Sequence, residues 1–309
     1  MQKLLVIGSI NMDVVSSVSQ FPLPGETIHS SGTMFFPGGK GANQAVATAR
    51  AGADCAMVGA VGLDPFGDTL VASLEDRQVG VKSILSKEGT SGFAIITVNE
   101  EGENNIVLSE GANGKLTGDD VDAEVQWDGV YAVLLQNEIP WQTTQHVISA
   151  AGTAGVRVWL NPAPARDIPQ ELFPQLDTLI MNETEANVIT GVKVDDVISA
   201  EAAAEHIIGR GTSNVIITLG EQGCFYMNKL GERAIVPAFR VKPVDTTAAG
   251  DTFIGAYAAA CADGLGTTEA LTFATAAAAL SVTRPGAQTS IPSKEEIQAF
   301  LVSQSVKRG

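Results

Sequence analysis

The chain has 309 residues, 45% of them hydrophobic and 17% charged, enough apolar material for a sizeable core, and the length suits one large α/β unit with a small appendage as well as two domains. A formal net charge of -16 argues against nucleic acid or an anionic membrane surface as a general partner. The three cysteines (Cys55, Cys224 and Cys261) are scattered and odd in number, and no apolar run reaches the ~18 residues of a membrane span, so a reducing cytoplasm is the expected setting.

Residues 1–7 loosely resemble a secretion signal, but Asn11 and Asp13 follow too soon for a signal core. Residues 3–9 read instead as the first, buried strand of a parallel sheet. Asn11 and Asp13 then fall at its carboxyl end, where open α/β sheets bind ligands. Residues 14–18 and 26–36, joined by a turn at 21–25, predict exposed strands of a flap. Residues 37–45 lead into a helix running to about Ala51. They lack the glycine spacing and the Ser/Thr after lysine that a P-loop needs. Gly38, Gly39 and Gly41 let backbone close on a small ligand that Lys40 and Asn43 can hydrogen-bond; a plain flexible turn is the other reading.

A buried strand at 55–61 precedes a helix started by Asp64 and Pro65. Residues 93–98 and 104–108 predict a hairpin, a second flap segment. Apolar runs at 130–136, 156–160, 178–181 and 215–219, separated by helical stretches, are the pattern of a parallel sheet with crossover helices. Asn182 and Glu185 have capping-box spacing at a strand's carboxyl end, which serves a helix start, a phosphate and Mg²⁺ site, or both. Residues 218–223 form a strand–turn–strand where backbone and Thr218 can approach a nucleotide.

The stretch 244–253 opens a long buried helix with small residues, Ala248, Ala249 and Gly250, at its N-terminus. Helix N-termini present unpaired N–H groups to anions. Asp251 is placed there either as a general base beside an anion site or as a helix cap. An Ala-rich helix at 271–282, an irregular loop at 284–288 and a last helix capped by Ser293 and Glu296 complete the chain. The expected fold is a single α/β unit over residues 1–309. It is a doubly wound, mostly parallel sheet flanked by helices, with a small β-lid from about 12–37 and 89–109.

Taken together, the blocks 8–13, 38–45, 182–185 and 245–251 resemble the ribokinase family of carbohydrate kinases over essentially the whole chain. The resemblance implies transfer of the γ-phosphoryl of ATP to the 5-hydroxyl of D-ribose, with Mg²⁺, an activating K⁺ and a homodimer paired through the lid. Asn11, Asp13, Gly39, Lys40, Asn43, Glu138 and Asp251 would hold the sugar, with Asp251 the catalytic base and Ala248, Ala249 and Gly250 the anion hole. Asn182 and Glu185 would organise phosphate and Mg²⁺, and Thr218, Gly220, Gly223, Gly250 and Thr275 would border the nucleotide. Asp245, Thr247, Ser281, Arg284, Gly286 and Ser290 would ring K⁺, largely through carbonyl oxygens.

Two departures from the family pattern, polar Asn137 beside Glu138 and small Thr275, bear on sugar and nucleotide choice, with 2-deoxyribose the nearest rival to ribose. Neither lid segment contains Lys or Arg, which favours a neutral sugar over a sugar phosphate. The rival classes are a non-catalytic sugar sensor on the same scaffold and a nicotinamide oxidoreductase. The second lacks a Gly-x-Gly-x-x-Gly turn after the first strand.

Overall fold

Alternation within the first strand decides the architecture of the computed structural model, which describes residues 2–306. In β1 (Lys3–Ile7), Leu4 and Val6 turn to one face and Leu5 and Ile7 to the other, and all four are buried. A strand buried on both faces needs helices on both sides.

The chain continues through β2 (Asn11–Ser17), β3 (Gly32–Gly38), α1 (Lys40–Arg50), β4 (Asp54–Gly62), α2 (Pro65–Asp76), β5 (Gly80–Lys87), β6 (Gly92–Val98) and β7 (Asn104–Ser109). After a 3₁₀ turn at Gly111–Lys115 come α3 (Gly118–Glu124), β8 (Val130–Leu135), α4 (Trp141–Thr153), β9 (Arg157–Leu160), β10 (Thr178–Asn182), α5 (Glu183–Thr190) and α6 (Val197–Gly209). The last part is β11 (Asn214–Thr218), β12 (Cys224–Asn228), β13 (Arg233–Val236), α7 (Ala249–Ala262), α8 (Thr267–Ser281) and α9 (Lys294–Val306).

The main sheet has nine strands in the order β13-β12-β11-β10-β9-β8-β1-β4-β5, parallel except for the antiparallel β12 and β13. The chain first winds outward from β1 through β4 to β5, then returns to lay β8 on the other side of β1. That reversal makes the β1/β8 boundary a topological switch point, where a crevice opens at the carboxyl ends of the strands. Helices α1, α2, α7, α8 and α9 pack on one face, and α3, α4, α5 and α6 on the other. A separate four-stranded sheet, β3-β2-β6-β7, forms the lid.

Local signals explain most helix starts. Asp64 accepts from the Phe66 and Gly67 N–H groups with Pro65 in the first turn, and Asn182 and Glu185 form a reciprocal capping box. The Ser293 and Glu296 pair likewise closes on itself at the start of α9. Helices α1 and α7 meet through small residues, because a Cβ on Gly255 would lie 2.5 Å from Ala47 Cβ and 2.7 Å from the Gln44 carbonyl oxygen.

Two expectations need correction, and two strands went unforeseen. The strand expected over 26–36 begins only at Gly32, because its partner β2 ends at Ser17 and leaves residues 26–31 nothing to pair with. Strand β2 starts at Asn11 rather than at 14, since Asn11 already pairs with Gly38 and Gly92. Strands β5 and β13 lie at the two edges of the main sheet, where half-exposed sequences carry little hydrophobic pattern.

Candidate active site

Gly39 is the pivot of the half of the site built on β1 and α1. Its φ of 90° suits only glycine, and a Cβ there would stand 2.8 Å from the Asn11 backbone nitrogen. Helix α1 therefore starts directly against the carboxyl end of β1. Glu138, beyond β8, accepts from Ser9 Oγ at 2.6 Å and from the Lys40 N–H at 3.1 Å, tying β1, β8 and α1 together across the switch point. Asp13, beside Gly38 on β2, faces both Glu138 and Asp251. Burial first, then those two charges, push its carboxyl up to about 7.

Asp251 lies in the first turn of α7 and is 7% exposed. It does not cap that helix. Its carboxylate turns inward and accepts from Asn43 Nδ2 at 3.1 Å and from Gln44 Nε2 at 3.0 Å. Burial raises its pKa against the opposing pull of Lys40, Gln44 and Asn43. Burial also works against the Lys40 charge, yet Asp251, Glu138 and Glu185 outweigh it and raise the ammonium pKa.

The N-terminus of α7 has no side-chain cap, and Ala248 adopts left-handed geometry at φ 58°, a strained conformation for a residue with a Cβ. The Ala249 N–H turns back to the Thr246 carbonyl, and the N–H groups of Gly250 and Asp251 find no partner among the described residues. A Cβ on Gly250 would meet nothing within 4 Å, so neither packing nor backbone geometry demands glycine there. The missing side chain instead leaves the amides open to close approach.

These amides line a cleft of about 190 Å³ together with Lys40, Asn161, Asn182, Glu185 and Thr218. Asn182 and Glu185 keep their capping box while facing the cleft. Burial raises the Glu185 pKa, opposed by the Asn182 N–H, Lys40 and Asn161. Gly220 and Gly223 sit in the β11–β12 turn, and Gly223 is needed for packing, since a Cβ would lie 2.0 Å from the Val236 carbonyl oxygen. Thr275 is buried in α8, with its hydroxyl donating to the Leu271 carbonyl at 2.8 Å. It can border a ligand only as a wall. Asn137 donates to the Pro164 carbonyl at 2.9 Å.

The 245–290 region draws two loops together. Asp245 accepts from Thr247 N–H and Oγ1 and from the Gly286 N–H at 2.8 Å. Burial works against that charge, but the hydrogen bonds from Thr247 and Gly286 outweigh it and hold the carboxyl below its usual range. Ser281 and Ser290 spend their hydroxyl protons on the Ala278 and Ala287 carbonyls, which leaves their oxygens as acceptors. Arg284 reaches away to Glu296 at 2.6 Å, so only its carbonyl is open to a cation. An all-oxygen donor set of this kind suits a hard cation.

Four participants were not singled out from sequence. Gln44 donates to both Asp251 and Asn161, and Gln136 Nε2 in turn donates to Gln44 Oε1 at 2.7 Å. Asn161 passes the chain on to Glu185 Oε2 at 3.3 Å, so two amide side chains join the carboxylates of the two halves of the site. Asn113 holds Asn11 from behind at 2.7 Å. A polar Gln44 on the buried face of an alanine-rich helix was a usable signal; the others carried none.

The family model for pfkB family carbohydrate kinases matches residues 1–294. The chain belongs to the pfkB family of carbohydrate kinases. Among similar members of this family, a ribokinase of Haemophilus influenzae is 42% identical over 301 residues, spanning 96% of this chain and 98% of that protein. A deoxyribokinase of Salmonella typhimurium is 36% identical over 301 residues, spanning 96% of this chain and 98% of that one. The crystal structure of Thermotoga maritima ribokinase superposes with a TM-score of 0.89 at 40% identity, covering 98% of this chain and 100% of that chain. Arabidopsis thaliana ribokinase complexed with ribose and ATP superposes at 0.91 with 32% identity, covering 97% and 98%. The large flanked sheet and the small second sheet are thus the fold of this family of phosphotransferases.

Proposed function

We propose that this protein transfers the γ-phosphoryl of ATP to the 5-hydroxyl of D-ribose, giving ribose 5-phosphate. One observation carries the reading: a buried carboxylate, Asp251, directly beside unpaired helix-terminal amides, in one cleft with Glu185 and the Lys40 ammonium whose charge both carboxylates favour. A sugar hydroxyl is a poor nucleophile until its proton has an acceptor, and Asp251 takes that proton. Asn43 and Gln44 each occupy one lone pair of its carboxylate, which fixes its aim.

The sugar side is formed by Asn11, Asp13, Gly39, Lys40, Asn43 and Glu138. Gly250 and Asp251 N–H groups, with Ala248 and Ala249 shaping the turn, receive the charge that develops on the transferring phosphoryl. Thr218, Gly220 and Gly223, with Thr275 behind them, border the nucleotide. Oxygen donors on Asn182 and Glu185 suit Mg²⁺, which when bound neutralises phosphate charge. The acceptor oxygens around Asp245, Thr247, Ser281, Arg284, Gly286 and Ser290 suit K⁺. The lid, without Lys or Arg on either segment, closes over a neutral sugar and excludes water. Because the relatives include a deoxyribokinase, 2-deoxyribose is the rival substrate. Retention of Asp251 and Lys40 argues against a non-catalytic sensor. No helix among the described residues is long and apolar enough to cross a membrane, and with three free cysteines the cytoplasm is the proposed setting.

The test is ATP consumption by purified protein with Mg²⁺ against ribose, 2-deoxyribose, fructose, fructose 6-phosphate and adenosine, in K⁺ or in Na⁺. Ribose-selective turnover stimulated by K⁺ is expected. Robust turnover of fructose 6-phosphate would sink the neutral-sugar reading, and sugar binding without any turnover would favour the sensor.

A further inference from the structure

The lid strands leave the body at one point. Strand β2 starts at Asn11 and β6 at Gly92, and the two residues are register partners. The chain returning from β7 enters the Gly111–Lys115 turn, which carries Asn113, 2% exposed. Asn113 Oδ1 accepts from the Ile10 N–H at 2.9 Å, and its Nδ2 donates to the Ile10 carbonyl at 3.2 Å and to Asn11 Oδ1 at 2.7 Å. Backbone thereby fixes which way the Asn113 amide points, because the flipped orientation would set N–H against N–H and oxygen against oxygen.

The orientation is passed on. With Asn11 Oδ1 held by Asn113, the remaining polar group of Asn11 is Nδ2, which finds no acceptor among the described residues and is not sealed from solvent. A Cβ on Gly92 would come within 2.2 Å of both Asn11 Oδ1 and Asn113 Nδ2, so β6 lies flat across this bond and shields it. A shielded amide pair does not turn over freely, since reversal would leave buried groups unpaired.

We propose that Asn113 is a positioning residue that sets the hydrogen-bond polarity of the sugar site: it turns Asn11 so that a donor, not an acceptor, faces the ligand. The inference rests on Asn11 being a sugar contact. The site then takes a lone pair of a sugar oxygen at that position, and a sugar lacking that oxygen leaves Asn11 Nδ2 unpaired, a basis for rejecting deoxy analogues.

The experiment combines Asn113→Ala and Asn113→Asp with Asn11→Ala, each alone, and Asn113→Ala with Asn11→Ala together. It reads sugar KM, ATP KM and kcat, ribose affinity by calorimetry, and thermal stability. Asn113→Ala is expected to raise sugar KM and Kd about tenfold, the worth of roughly one hydrogen bond to a buried polar group, with ATP KM unchanged. Asn113→Asp, offering only acceptors, draws Asn11 Nδ2 inward and weakens ribose at least as much. In the Asn11→Ala background, Asn113→Ala adds less than about a twofold change, because there is no longer an amide to orient. An unchanged sugar affinity in Asn113→Ala, or the same loss in the Asn11→Ala background, would overturn the proposal, and should Asn113→Asp not fold, Asn113→Ala carries the cycle alone. A wild type that binds ribose without phosphorylating it would overturn the kinase reading and leave this comparison intact. A wild type that binds no sugar would overturn both.

Discussion

At Asp13 the protein carries a carboxylate in a place that disfavours its charge. Its folded pKa of about 7 lies above the ordinary carboxylate range, so the folded state keeps a proton that the unfolded chain has already lost. This contribution to stability is full below the unfolded value and is lost as pH rises through about 7. Sugar affinity runs the other way, because an ionised Asp13 is the better acceptor for hydroxyls, and it should weaken as pH falls below about 7. Asp13→Asn is expected to gain thermal stability over wild type at pH 8, to gain less at pH 5, and to lose about tenfold or more in sugar affinity at pH 8. Equal melting shifts at both pH values would count against the assignment. Asp251→Asn should lower kcat by roughly a hundred- to ten-thousand-fold while calorimetric sugar binding survives. Retained turnover would remove Asp251 from the role of base.

Helices α1 and α7 translate chain packing into site geometry. Asn43 and Gln44 reach Asp251 because Gly255 lets the helices approach to direct backbone contact. Gly255→Val is expected to cost about 1–3 kcal/mol by overpacking, read by urea denaturation, and to lower kcat as the amides withdraw from the carboxylate. A destabilised variant with full kcat per folded molecule would show that the spacing does not reach Asp251. The same pair of helices explains what the sequence could tell. Asn11, Asp13, Gly39, Lys40, Asn43 and Asp251 stand in short blocks whose spacing is itself a pattern, and the structure brings them together at the switch point. Gln136 and Asn161 gain meaning only from contacts spanning 92 and 117 residues to Gln44, and periodicity holds no record of such distances. Edge strands β5 and β13 were hidden for a related reason: strands with half their residues in water show little of the pattern that marks a buried one.

At the scale of the whole molecule, the lid sheet is left unfinished. Register places Asp13, Ala94 and Leu108 on the lid face that turns Asp13 toward Glu138 and Asp251, and Val14, Phe35, Ile95 and Val107 on the other. Phe35 stacks on Phe66 of the body at 5.6 Å, but Ile95 and Val107 remain 51% and 63% exposed, and Leu108 on the opposite face is also 51% exposed. A single four-stranded sheet cannot cover both of its faces against one body, and exposed apolar sheet surface of this kind marks an interaction site. The expected occupant is a second lid. Wild type should sediment as a dimer of 32.1 kDa chains, and Ile95→Asp combined with Val107→Asp should sediment as a monomer with weakened sugar affinity. A wild type that is monomeric at micromolar concentration would exclude this pairing.

Helices α2, α3, α5 and α6 each begin with a side chain that closes their first turn. Helices α1, α4 and α7 do not, but the first three N–H groups of α1 are met from elsewhere in the chain, Lys40 by Glu138, Gly41 by Ser9 Oγ and Ala42 by the Ser9 carbonyl. Of these uncapped helices, α7 is the one that keeps open amides beside Asp251. In the proposed reaction, a substrate completes it: the phosphoryl group is the missing end-piece of α7. Folding of this protein then stops one step short, and each turnover supplies the last step and takes it away again.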